Sequence, residues 1–361
     1  MKNKILTILF CLFISIFFIF NIISKDIDIS YAERRHLNKL PDHSVEAIMN
    51  GDFFNDFEKY ATDQFVMRNS FRKFKAKFNF SALNMKDYNN LYIKDNYIYK
   101  IDYPLNNNQI LKFTKKINYI LNKTSNNNHI YLSIIPDKNF YSQDNYLKID
   151  YNKLIDTVKN NINNKITYID ITKDLSLNNY YYTDIHWKQE TLNDVVNTLS
   201  ENMKFHISNI KSKENIYKPF YGSYYGQLGL SNKTDTIIYK TNYLTKNAKV
   251  KDIESNLTTI YDPNALANID SYDVFVGGAT PIIEIESNSH TNKELVIFRD
   301  SFASSITPLL LGGYDKITLI DLRYIDFLLL NKYITFNNQD ILFLYNTTII
   351  NNSDILKVNF K

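Results

Sequence analysis

The 361-residue chain has one cysteine, one tryptophan and six histidines. A single thiol, Cys11, excludes an intramolecular disulfide. Six scattered histidines, with no Cys or His pair at ligand spacing, argue against a zinc site. The sequence therefore implies no metal and no cofactor. Charge of one sign is not concentrated either: the net +4 is spread along the chain without a basic run. The electrostatic footprint of nucleic-acid binding is missing, and no nucleic-acid partner is expected. No internal repeat and no glycine-rich phosphate loop occurs.

Apolar residues are abundant. They make up 44% of the chain and aromatics 15%, far from a disordered composition, and the length allows a sizeable core. The excess of Tyr 28 and Phe 24 over Trp 1, with many Asn, Lys and Ile, reads as AT-rich codon usage rather than as a binding surface.

The first segment, "MKNKILTILFCLFISIFFIFNIISKD", places Lys2 and Lys4 before about nineteen mostly apolar residues, Ile5 to Ile23. Positive charge ahead of the span predicts a cytoplasmic N-terminus and an extracytoplasmic remainder. Ser30-Tyr31-Ala32 has the pattern of a signal-peptide cleavage site, but it lies well beyond an apolar run too long for a signal peptide. An uncleaved anchor is the expectation, and a secreted, cleaved form the alternative.

Beyond it, Phe54, Phe57, Tyr60 and Phe65 suit an amphipathic helix that breaks near Thr62-Asp63 and resumes towards Phe80, a helical stalk. "NLYIKDNYIYKID" alternates like a hairpin turning at Lys94-Asp95-Asn96. Helix 107–122, strand 129–136, helix 152–163 and strand 166–171 follow. That alternation predicts an α/β sandwich with a mainly parallel sheet. Asp184 is placed to cap a helix from about Trp187 to Met203, with Leu192, Val195, Val196 and Leu199 as its buried stripe. Residues 207–270 read as a β-rich insertion. Alternation resumes with strand 272–278, strand "ELVIFRDS", a helix through Leu311, strand "KITLIDL", a helix near 324–332 and strand 340–346.

Two stretches carry chemistry. In "ELVIFRDSFASSITPLL" Ser301 sits at a strand-to-helix turn, at the carboxyl edge of a parallel sheet where open α/β folds build their sites. Such a serine is either a helix cap or a nucleophile. In "YYTDIHWKQE" an aspartate stands two residues before a histidine. A hydroxyl needs a base to take its proton, and the base needs a third group to hold its tautomer. Asp184, His186 and Ser301 could supply all three, whereas apart they would be a cap, a core histidine and a cap.

"TDIHW" resembles the Asp-x-His-Trp signature of the DHHW family and its relatives, the SGNH-hydrolase-like O-acetyltransferases of exopolysaccharide pathways, known best from alginate acetylation. "AERRHLNKLP", "GDFFNDFEKYATDQFVMRNSF", "IPDK", "FYGSYY", "FRDSFASSITPLL", "LIDLRY" and "FLYNTT" resemble further family blocks in the same order. Two departures stand out: Ile185 where the family usually has a second histidine, and Arg34-Arg35 in place of Arg-Asn.

The resemblance implies a three-layer, circularly permuted SGNH-like fold, with Ser301 as nucleophile, His186 as base and Asp184 as orienting acid. For the oxyanion hole it leaves the Ser301 N–H, Asn346 and Gly278 as candidates, and Asn346 reads equally as a turn residue. Trp187 and Arg323 are substrate-binding candidates. Their alternatives are packing under the histidine and a salt-bridged corner. The expected organisation is anchor 1–28, helical stalk 29–88 and catalytic domain 89–361 with the insertion at 207–270. The implied activity is acetylation of a polysaccharide, with a membrane-bound O-acyltransferase partner supplying the acetyl group. The rivals are a deacetylating esterase and a non-catalytic polysaccharide-binding protein.

Overall fold

The computed structural model describes residues 2–143, 146–207, 210–230, 233–255 and 257–360; parts of the expected insertion, at 208–209, 231–232 and 256, lie outside these. The chain forms two compact units: residues 1–89 with 223–232, and residues 90–222 with 233–361.

The first unit begins with the helix Lys2–Ile23, of which Asn3–Ile23 is long and apolar enough to cross a membrane. A two-residue ladder, β1 (Ile29–Ser30) with β2 (Arg35–His36), follows. Helices Asp52–Asp63 and Arg68–Ser81 are separated at Gln64–Met67, where Met67 takes a left-handed φ of 61°. Ions tie the unit together. Asp63 accepts from the Arg35 guanidinium, from Asn38 N (2.9 Å) and from Asn38 Nδ2 (2.6 Å), while Glu33 is bound by Arg35, Arg68 and Arg72. Arg35 and these bonds hold the Asp63 carboxyl well below the usual carboxylate range. Arg72 also donates to Gly226 O at 2.6 Å.

The second unit carries the layered sandwich. Its strands are β3 (Leu91–Lys94), β4 (Tyr97–Lys100), β5 (His129–Ile135), β6 (Ile166–Tyr168), β7 (Lys213–Phe220), β8 (Asp235–Thr241), β9 (Lys249–Asp252), β10 (Ile282–Glu286), β11 (Glu294–Arg299), β12 (Lys316–Ile320) and β13 (Asp340–Asn346). Seven of them form one sheet in the order β6-β5-β13-β11-β12-β10-β9. The five from β6 to β12 run parallel, and β10 and β9 close one edge antiparallel.

Burial on both faces explains the continuous apolar strands. On β13, Ile341, Phe343 and Tyr345 pack with helices Asn107–Leu121 and Tyr151–Asn161. Leu342 and Leu344 face the other way, towards helices Asn193–Met203 and Ala303–Leu310. The hairpin β3–β4 turns at Asp95-Asn96, both at positive φ, as a tight right-twisted hairpin requires.

Three expectations are corrected. The helix placed from Trp187 starts only at Asn193, after a short 3-10 turn at Gln189–Thr191; Trp187 is instead paired antiparallel with Tyr180. The strand placed at 272–278 is a 3-10 turn, Ser271–Val274, because the Asp270 side chain accepts from Tyr272 N. Phe275 makes one bridge to Tyr261, and Val276, Gly277 and Gly278 then curl through three successive left-handed conformations. The supposed insertion is only partly one: β7–β8 is a separate hairpin, but β9 is an edge strand of the main sheet.

Gly226 makes the closest backbone approach in the first unit: a Cβ there would lie 2.1 Å from Ala32 O and 2.6 Å from Glu33 Cα. Gly226→Ala is expected to lose roughly 2–3 kcal/mol of stability in that unit. Limited proteolysis should detect it as earlier cleavage within residues 26–89, and unchanged protection would reject the contact.

Candidate active site

Parallel strands β5, β13 and β11 end side by side, and the chain emerging from each contributes to one site. The order of the blocks along the chain puts Asp184 and His186 before Ser301.

Ser301 follows β11 at the entry to helix Ala303–Leu310 and is partly exposed. The turn is held by Asp300, whose Oδ1 accepts from Phe302 N (3.0 Å) and whose Oδ2 accepts from Asn346 N (2.6 Å). Burial pushes the Asp300 carboxyl upward, against the pull of Arg323 and of those two backbone donors.

The histidine arrives on a short reversed loop. Tyr180 pairs with Trp187, and Tyr181 N donates to His186 O at 3.2 Å, so residues 182–185 form the tip. Within it, Asp184 Oδ1 accepts from His186 N at 3.0 Å and lies 2.6 Å from His186 Nδ1. A carboxylate there fixes the proton on Nδ1 and leaves Nε2 as an acceptor. His186 Nε2 lies 2.7 Å from Ser301 Oγ. The three sequence candidates are therefore in one hydrogen-bonded row, with Asp184 and His186 buried. Asp184 is spent on the histidine and caps no helix.

The ring of His186 stacks on Tyr272, centroids 3.9 Å apart and planes within 6°, and is flanked by Phe302 at 4.9 Å. Ser305 Oγ accepts from Tyr272 OH and from Trp187 Nε1, each at 2.9 Å. Trp187 Nε1 also lies 2.9 Å from Phe302 O. Trp187 is fully buried, so its face is closed to a sugar; it ties the histidine loop to the serine helix.

Arg323 grips Asp321 in a bidentate pair, at 2.9 and 2.6 Å. Burial opposes its charge, but Asp321 outweighs burial and raises the guanidinium further. It is the salt-bridged corner. Asn346 caps the helix Thr347–Ile350: Oδ1 accepts from Thr348 N and Thr348 Oγ1, and one Nδ2 hydrogen goes to Ile135 O. It behaves as the turn residue. Gly278, at φ 64°, accepts from Arg299 Nη2 at 3.4 Å through its carbonyl.

Sequence reasoning missed the residues that hold the loop. Asp235 accepts from Tyr182 N (2.8 Å), Thr183 N (2.7 Å) and Thr183 Oγ1 (2.6 Å). Lys138, buried at the end of β5, donates to Tyr181 O (3.0 Å) and Tyr182 O (3.3 Å). Gly222 N donates to Thr183 Oγ1 at 3.1 Å. A lysine three residues beyond a buried apolar strand was a legible signal; Asp235, inside an unpatterned region, offered none. Among the described residues no His, Cys, Asp or Glu group has the arrangement to hold a metal ion.

The architecture is an α/β sandwich: a mostly parallel seven-stranded sheet with a serine and a histidine meeting at its carboxyl edge. Solved structures with this fold include a DHHW family protein from Eubacterium siraeum, at 18% identity and TM-score 0.61, covering 73% of this chain and 92% of that one. They also include Bacillus cereus PatB1, at 19% identity and TM-score 0.57, covering 74% and 97%. The O-acetyltransferase domain of Pseudomonas putida AlgJ is more distant, at 8% identity and TM-score 0.43, covering 72% and 92%. The family suggested by the sequence blocks is thus among the chain's structural neighbours. No protein-family model matches the chain, and no curated protein matches its sequence.

A Cβ at Gly222 would fall 2.3 Å from the Thr183 carbonyl and 2.4 Å from Asp184 N. Gly222→Ala is expected to displace the loop and lower the reactivity of Ser301 towards an acylating probe about 100-fold, since a misplacement near 1 Å costs that much. Ordinary labelling would reject this role.

Lys138 gives a pH test. Burial lowers its ammonium to about 8 in the folded chain, against the opposing pull of Asp235, Asp184 and Asp137. The unfolded chain keeps that proton to about 10.4. The destabilisation from burying the charge is full below pH 8 and is relieved as pH rises towards the unfolded value. Compared with Lys138→Met, the native chain should therefore gain relative stability between those pH values in denaturant melts. Parallel pH profiles would exclude this.

Proposed function

We propose that this chain is a membrane-anchored serine O-acetyltransferase that modifies an exopolysaccharide or cell-wall glycan outside the cytoplasm. The observation that supports it most is the row Asp184–His186–Ser301, with 2.6 and 2.7 Å separations. The sequence blocks supply the acetyl and polysaccharide parts of the reading, and the apolar helix Asn3–Ile23 supplies the anchor.

In this reading Ser301 Oγ attacks the acetyl carbonyl while its proton passes to His186 Nε2. Asp184 stabilises the imidazolium and keeps the ring in place. Negative charge on the carbonyl oxygen is met by the Ser301 N–H at the start of its helix. The tetrahedral adduct collapses, the leaving group departs with the proton from His186, and acetyl-Ser301 remains. A sugar hydroxyl then attacks, its proton goes to His186, and the C–O bond to Ser301 breaks as Oγ takes that proton back. The stack of Tyr272 on the imidazole, with Phe302 tilted against it, fits this cycle, because it holds the ring in one plane through both proton transfers. A multi-spanning acyltransferase is the expected source of acetyl groups on the far side of the membrane.

Transfer differs from hydrolysis in what reaches the acyl-enzyme. With an activated acetyl ester the chain should give an initial burst and then slow turnover; the correct glycan should accelerate turnover and become acetylated. Ser301→Ala and His186→Ala should each lose at least about 10³-fold, and their combination little more, because such residues act as a unit. Asp184→Asn should also be strongly impaired. Rapid ester hydrolysis with no glycan acetylated would favour the esterase, and absence of any acyl-serine would favour a binding protein.

A further inference from the structure

The helices Asp52–Asp63 and Arg68–Ser81 carry exposed phenylalanines that a stalk does not need. On the second helix Phe71, Phe74 and Phe78 recur on one side, and all three are exposed, Phe74 at 68%. The same helix carries Arg68, Arg72, Lys73, Lys75 and Lys77 and no acidic residue. On the first, Phe54 and Phe57 are exposed, while Asp63, on the opposite side, is buried against Arg35. Phe54, Phe57, Phe65 and Phe71 line one groove of about 830 Å³.

Depth along the anchor identifies what covers this surface. The span Asn3–Ile23 has 21 residues and is about 31 Å long, close to a hydrocarbon core. Phe17 lies six residues before its end, about 9 Å inside. Phe65 and Phe71 both pack on Phe17, with centroids 5.9 Å away. The break between the two helices is tied to the span as well, since Val66 N donates to Asn21 Oδ1 at 2.9 Å. Asn21, a polar residue inside the apolar run, thus has a partner in the helix pair. Chain in contact with the anchor at that depth is within the leaflet.

We propose that residues 52–81 form an interfacial helical pair: their phenylalanines enter the leaflet at the Ile23 end of the anchor, and the lysines of helix Arg68–Ser81 meet anionic lipid headgroups. The inference rests on reading Lys2–Ile23 as a membrane anchor. It makes the anchor and the pair one amphipathic foot.

The test uses the full chain in vesicles of phosphatidylcholine and phosphatidylglycerol, with an environment-sensitive fluorophore on a single cysteine. Native Cys11, inside the span, reports the anchor. Phe74→Cys and Phe54→Cys, each with Cys11→Ser, report the pair, and circular dichroism checks that each variant folds. Labels at all three sites should lose fluorescence to brominated acyl chains and be shielded from aqueous iodide. Replacing Lys73, Lys75 and Lys77 by Gln should restore iodide access at 74 and leave Cys11 unchanged. If Cys11 is quenched by bromolipid but 74 and 54 stay open to iodide, the inference fails alone, and the phenylalanines await a protein partner. If Cys11 itself is open to iodide, the anchor reading fails with it.

Discussion

One carboxylate governs the arrangement of the site. Asp184 Oδ1 binds both the backbone N–H and the ring nitrogen of His186, a residue only two positions away. That double contact closes a turn and orients an imidazole in the same step. It works only if the loop carrying it cannot rotate, and much of the surrounding structure serves that end. Asp235 takes two successive N–H groups of the tip, Lys138 takes two successive carbonyls, and Trp187 fastens the descending strand to the serine helix. Backbone groups that a short loop would leave unpaired in the interior are thereby satisfied.

The clamp has a cost in buried charge. Lys138 and Asp235 are both out of water, and burial pushes the ammonium down and the carboxyl up. Neither partner is expendable, because removing one would leave the other's charge uncompensated. The same logic applies beneath the serine. Buried Arg299 is weakened by burial and supported electrostatically by Asp321, and its Nη1 donates to Ser304 Oγ at 2.7 Å. Charges packed this way are poor sources of stability but good sources of a single geometry.

Much of this was legible in the residues. The hairpin at Asp95-Asn96, the long apolar strands and the helices between them follow from period, length and turn chemistry, so the five parallel strands of the sheet were predictable. The pairing of Asp184, His186 and Ser301 was legible as a chemical set, though not as a distance. What failed were local contests between side chain and backbone. Asp184 was read as a helix cap and the chain just after Asp270 as a strand, yet each aspartate spends its carboxylate on a nearby N–H and bends the chain there. The antiparallel strands β9 and β10 include Lys249, Lys251, Glu284 and Glu286, whose charges hide a half-buried pattern. Asp235 could not be found because its role comes from a partner loop more than fifty residues away.

The serine turn shows how one constraint can be met by different residues. A sharp strand-to-helix nucleophile turn is commonly built with flanking glycines that tolerate strain. Here the turn reads Arg299-Asp300-Ser301-Phe302-Ala303, without glycine, and Phe302 has ordinary helical angles of −62° and −34°. The Asp300 carboxylate does the folding instead, binding Phe302 N across the turn and Asn346 N on the neighbouring strand. Large side chains then become permissible, and the chain uses them: Phe302 packs against both His186 and Trp187. Backbone strain is concentrated at Val276, a β-branched residue at φ 46°, in the curl that leads to the Gly278 carbonyl beneath Arg299. The serine turn thus needs no left-handed residue, and the left-handed segment lies instead at Val276–Gly278, whose last carbonyl accepts from Arg299.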